Sequence, residues 1–98
     1  MTINWLDSKE AEEFGKTLAH FIMERIPNSK EKMKGKSLSK QIEVVDKLYL
    51  KIDQFKVNHK LNLYKKAKLG SAFKFVLMNA DYDISFINRM TKGLMQKL

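Results

Sequence analysis

From Leu38 to Phe55 the apolar residues Leu38, Ile42, Val45, Leu48, Tyr49, Ile52 and Phe55 return every three or four positions. Lys40, Glu43, Lys47, Lys51 and Gln54 fill the places between them. A period near 3.6 sustained over five turns can bury its apolar side only as an α-helix lying on a core. The stripe is broader than the seam of a coiled coil, so the pattern points to a globular partner layer. No other stretch of the chain constrains the fold as much, and the remaining segments fall into line with it.

Upstream, Ala11, Phe14, Leu18, Phe21 and Ile22 share one side of a second periodic stretch, and Glu12 and Lys16 form an i,i+4 pair on the other. Asp7 or Ser8 is placed to cap it, and Pro27 ends it. Downstream, Asp83 precedes a run in which Ile84, Ile87, Met90, Leu94 and Leu98 line up, as expected of an N-cap and its helix. Between them lies a stretch, Leu63 to Asn79, with two apolar sides. Leu69, Phe73 and Val76 point one way, and Tyr64, Phe75 and Met78 point nearly the opposite way. A helix apolar all round is a buried helix. Gly70, Ser71 and Ala72 are small enough to admit a neighbouring helix closely.

The expectation is an all-α single domain over 1–98, a bundle of about four helices at residues 8–25, 38–59, 63–79 and 84–97. The third helix is central and mostly buried. Ser37 or Ser39 would cap the second helix, which leaves a basic loop over 27–37. That loop holds Lys30, Lys32, Lys34 and Lys36 and is long enough to be mobile. The chain has 98 residues with a hydrophobic fraction of 44%, enough for one core without staples. It has no cysteine, which removes disulfides and thiolate metal sites and fits a reducing compartment. No apolar run approaches a membrane span, and the N-terminal residues show no secretory pattern, so the expected location is the cytoplasm.

Catalytic chemistry finds little support. His20 and His59 stand in different helices without ligand spacing such as H-E-x-x-H. "KLGSAFK" lacks the glycine and lysine pattern of a P-loop. Asn79, Asp81, Asp83 and Ser85 alternate like the start of a calcium loop, but the glycine and terminal glutamate that such a loop needs are missing. No catalytic residue, metal or cofactor is expected.

Charge is the informative feature. The net charge is +8. Residues 1–29 carry three basic and five acidic side chains, a net of −2, whereas residues 30–98 carry sixteen and six, a net of +10. From Gln54 to Ala80 there are six lysines and no acid. Such a surface raises encounter rates with anionic partners. Only Arg25 and Arg89 are arginine, so the planar, two-pronged recognition of phosphate and guanine is scarce.

The expected function is therefore a small non-catalytic binding or regulatory module engaging an acidic macromolecule. Candidate contacts are the four loop lysines together with Lys65, Lys66, Lys68, Arg89 and Lys92. Lys65, Lys66 and Lys68 point in three directions around their helix and make no single basic face. Trp5, Met23, Leu50 and Val57 lie off the stripes and are candidate interface anchors, and a homodimer is one arrangement they would serve. The alternative is DNA or RNA binding. Ser85, Asn88, Arg89, Lys92 and Gln96 fall within an arc of about 100° on the last helix. They are the side-chain types that read base edges, in a helix that could act as the reader of a helix-turn-helix. Phe86 also lies off the buried side of that helix.

Overall fold

The computed structural model describes residues 5–27 and 35–98, and the side chains from Ser8 and Ser39 onward within those spans. They form four helices, α1 (Trp5–Arg25), α2 (Gly35–Asn58), α3 (Leu63–Asn79) and α4 (Ile84–Lys97). The all-α four-helix architecture expected from the periodicity is present. The α3 and α4 bounds match the expectation, because polar caps fix both starts. Asn62 Oδ1 accepts from the Lys65 amide at 2.8 Å. Asp83 Oδ2 accepts from the Ser85 and Phe86 amides at 3.1 and 3.3 Å. The earlier helices begin upstream of their expected caps. Asp7 and Ser8 lie inside α1, and Ser37 and Ser39 lie inside α2. Residues 35–37 of the expected loop are therefore helical, Pro27 follows α1 outside any helix, and 28–34 lie outside the described residues.

The contacts run in register along the bundle and fix its directions. Phe14 stacks on Phe55 and Glu10 reaches His59, so α1 and α2 are antiparallel. Gly70 faces Met95 far from the turn that joins them, so α3 and α4 also run antiparallel, side by side. Gly15 lies against Leu69, and Ile26 is bonded to Tyr82, so α1 and α3 are parallel. The helices neighbour one another in the order α1, α2, α4, α3 around the bundle, and α1 with α3 is the most extensive seam.

That seam is tight for a local reason. A side chain at Gly15 would overlap the backbone carbonyl of Leu69, so glycine there lets the helix axes approach until main chain nears main chain. Leu18, Ala19 and Ile22 of α1 and Leu69, Phe73 and Leu77 of α3 are fully buried around it. Val44, Leu48 and Ile52 of α2 and Phe86, Ile87, Met90 and Leu94 of α4 complete the core.

Three expectations about which residues are buried are corrected. The α2 stripe is turned about the helix axis relative to the sequence reading: Val44 is buried and Ile42 is exposed. Ile42 belongs to the α4 side of the helix, where the two helices stand apart and leave a groove between them. In α4 the buried arc centres on Phe86, Ile87, Met90 and Leu94, so Phe86 is buried and Ile84, at the edge of that arc, is exposed. Most consequential is α3. Its Leu69–Phe73–Leu77 side is buried, but Phe75 is 61% and Met78 50% exposed, and Tyr64 is also open. α3 shares the most extensive seam, but among the described residues only α1 and α4 flank it, and its remaining side is open.

The α3–α4 turn closes with a Schellman arrangement. The Tyr82 amide donates to the Leu77 carbonyl and the Asp81 amide to that of Met78, both at 3.1 Å. Asp81 takes the left-handed conformation, φ 65°, that this motif places after the helix. Tyr82 then turns inward onto the core, and its hydroxyl donates to the Ile26 carbonyl at the end of α1. Burial raises the Tyr82 hydroxyl above its ordinary range near 10.0.

Candidate interaction surface

The outward side of α3 carries Tyr64, Ala67, Ser71, Phe75 and Met78 at successive spacings of three and four, all of them exposed. These spacings put one row along the helix face opposite Phe73. Its large members stand at the two ends, Tyr64 at one and Phe75 with Met78 at the other, about 16 Å apart from Tyr64 to Phe75. Ala67 and Ser71 make a low saddle between them. Lys68 and Lys74 lie on opposite edges of the row. Lys68 Nζ stands 5.8 Å from the Tyr64 ring centroid, so its charge stays with the row. Neither Lys68 nor Lys74 forms an ion pair among the described residues.

Of the sequence-derived lysines, Lys68 alone joins this face. Lys65 turns back and donates from Nζ to the Lys60 carbonyl at 3.2 Å, and Lys66 is half-buried. The three diverge, as the helical geometry required. Lys30, Lys32 and Lys34 lie outside the described residues; Lys36 is in α2, with its side chain outside them. Among the expected anchors, Leu50 and Val57 are exposed on the outer side of α2, whereas Met23 is half-buried against the core. The Trp5 side chain lies outside the described residues.

The acids are distributed differently. In α1, Lys16 holds Glu12 and Glu13 at 3.7 Å each, Arg25 holds Glu24 at 3.2 Å, and His59 Nε2 meets Glu10 at 3.0 Å. Glu12, Glu13 and Glu24 are thus paired within their own helix, whereas Lys68 and Lys74 stand apart from any carboxylate among the described residues. The His59 ring also stacks on Phe55, centroids 4.0 Å apart, extending the Phe14–Phe55 stack. This makes His59 part of the α1–α2 packing, and among the described residues no group of three potential ligands could hold a metal. His20 is exposed on α1.

On α4 the polar arc of Ser85, Asn88, Arg89, Lys92 and Gln96 is exposed throughout. Arg89 departs from the rest of the arc. Its guanidinium lies 5.6 Å from the Phe86 ring centroid, beside a groove of about 300 Å³ between α2 and α4 lined by Ile42, Val45, Tyr49 and Met90. Because α3 and α4 run alongside each other, with Gly70 opposite Met95, they do not cross as the two helices of a helix-turn-helix do. No described helix is long and apolar enough to cross a membrane.

No family model, curated protein or solved structure matches the chain. The site must be read from its chemistry.

Sequence reasoning missed Phe75, Met78, Tyr64 and Lys74 as surface residues, although the two-sided pattern of α3 was visible. The signal that identifies them is a count of partner stripes. α1, α2 and α4 each carry one apolar side, α2 has no contact with α3 among the described residues, and α1 and α4 divide their sides between α3 and α2. One side of α3 is left over.

Proposed function

We propose that the protein is a small, non-catalytic binding module that engages an acidic protein partner, in keeping with a cysteine-free chain of the cytoplasm. The observation that carries this reading is the outward row of α3, where bulky apolar side chains stand exposed between lysines that form no ion pair among the described residues. Single exposed apolar residues are ordinary, but a row of them along one helix face marks a surface that binds. Apolar side chains with aromatic and methionine character supply affinity to protein interfaces, and surrounding charge supplies encounter rate and choice of partner.

A second reading, nucleic-acid binding through α4, is favoured by the exposure of Asn88, Lys92 and Gln96 on one face. It has less support because the α3–α4 pair is a hairpin and the exposed apolar row has no role on a duplex.

The test is a pair of titrations across salt, one with an acidic polypeptide and one with duplex DNA and single-stranded RNA. The proposed function expects the acidic polypeptide to remain bound at physiological salt and nucleic acid to be released. Retention of nucleic acid with a log–log salt slope of about −5, the value for roughly six phosphate contacts, would reverse the choice. Arg89→Ala would then relax sequence preference, and Lys66→Ala would weaken all sequences alike.

A further inference from the structure

We infer that the outward face of α3 seats one acidic amphipathic helix of a partner protein, crossing the Ala67–Ser71 saddle between Tyr64 and the Phe75–Met78 pair. The inference rests on the proposed binding of an acidic protein and says where and in what form that protein is held. Three observations carry it. The saddle is as wide as a helix: the roughly 16 Å between Tyr64 and Phe75 accommodates a helix of about 10 Å diameter with its side chains. Small residues at its floor allow close approach, as Gly15 does inside the molecule, and the bulky ends act as knobs against the sides of the incoming helix.

The third observation is charge. Between Gln54 and Ala80 there are six lysines and no acid. Lys68 and Lys74 border the row, so the occupant has to bring carboxylates on both of its flanks. This decides against a second copy of the chain. A second copy would present the same lysine-bordered face, with no acid between Gln54 and Ala80 to answer it. The carboxylates of α1 are no substitute, because Glu12, Glu13 and Glu24 are already held by Lys16 and Arg25. A lipid surface would welcome the lysines, but it has no use for a saddle between two bulky ends.

The experiment uses the intact protein and a fluorescein-labelled 18-residue peptide designed as a helix with a leucine stripe flanked by glutamates. Polyglutamate of the same charge and vesicles of phosphatidylserine with phosphatidylcholine are the comparators. Anisotropy should show the helical peptide binding at least tenfold more tightly than polyglutamate. Ser71→Trp, which fills the saddle, and Phe75→Ala, which removes an end, should each weaken the peptide at least tenfold. Gln54→Ala on the outer side of α2 should leave it unchanged. Melting temperatures would confirm that all three variants stay folded, since all three positions are exposed.

Equal binding of peptide and polyglutamate, unaffected by Ser71→Trp or Phe75→Ala, overturns the helix seat while leaving the acidic-partner reading standing. Binding of neither overturns both. Preference for the anionic vesicles over the peptide overturns the inference in favour of a membrane surface.

Discussion

The α1–α3 seam and the α2–α4 seam are both parallel pairs in the same bundle, and they are built by opposite means. In the first, glycine brings main chain to main chain, and Leu18, Ile22, Leu69 and Phe73 are fully buried around it. In the second, long side chains span a separation. Lys97 Nζ reaches Asp53 at 3.3 Å, Lys56 Nζ reaches the Lys97 carbonyl at 3.0 Å, and the Tyr49 hydroxyl fills the space above Gly93. Further along, the two helices leave the Ile42–Met90 groove open. Both halves supply fully buried side chains, but only the first sets main chain against main chain and so has the least room for an added atom. The same kind of substitution should give different answers in the two halves.

The largest effect is expected at the centre of the tight seam. Phe73→Ala removes the largest fully buried side chain and should cost about 3–5 kcal/mol, read as the shift in a urea midpoint. For a domain of this size that is a large part of total stability, so loss of the folded baseline altogether would agree with it.

Next is a matched pair. Gly15→Ala should cost about 1–3 kcal/mol even though alanine favours helix, because the overlapping atom is the Leu69 backbone carbonyl, which cannot swing aside. Gly93→Ala gains about the same propensity and meets only the Tyr49 hydroxyl, the far end of a side chain beside an open groove, so it should stay within about 0.5 kcal/mol of the parent. Equal costs at the two positions would erase the distinction between the seams.

Tyr82→Phe deletes one hydrogen bond to the end of α1 and should cost about 1 kcal/mol. Its pH dependence has a definite sign. The folded-state value is raised by burial, so the protonated hydroxyl stabilises the fold fully below pH 10.0 and that contribution is lost as pH rises through the higher folded value. The difference between parent and Tyr82→Phe should therefore be constant at neutral pH and shrink in strong alkali. A gap that widened there would contradict the buried hydroxyl.

The smallest effect belongs to the open seam. Asp53→Ala breaks the ion pair with Lys97, whose side chains are 50% and 36% exposed, and should change stability by at most about 1 kcal/mol and less in high salt. A larger loss would mean that the α2–α4 contact is firmer than its groove suggests.

The contrast also shows which parts of the structure the sequence exposed. Helix positions were legible wherever a cap stood next to a periodic stripe, as with Asp83 and α4. The start of α2 was not, because Gly35 reads as a breaker although the helix begins with it. Gly15 was silent as well. A glycine inside an amphipathic run looks like a local cost, and its compensation lies in Leu69, which is remote in the chain. The two apolar sides of α3 were plain, but which one is covered depends on how many helices are left to cover it. The polar arc of α4 was readable because periodicity alone places it. The Lys68–Lys74 flanks were obscured by the neighbouring lysines Lys65 and Lys66, which turn elsewhere.

The parallel course of α1 and α3 has a consequence for the order in which the molecule assembles. Gly15 meets Leu69 only after the chain has travelled down α2 and back, so this contact closes a far larger loop than the α3–α4 turn does and loses more chain entropy. The α3–α4 hairpin, joined by the turn at Asp81, needs no such detour. Its contacts should already be made at the folding barrier, with the Gly15 seam closing afterwards, and a kinetic comparison of Leu94→Ala with Leu18→Ala would record that sequence in the refolding rates.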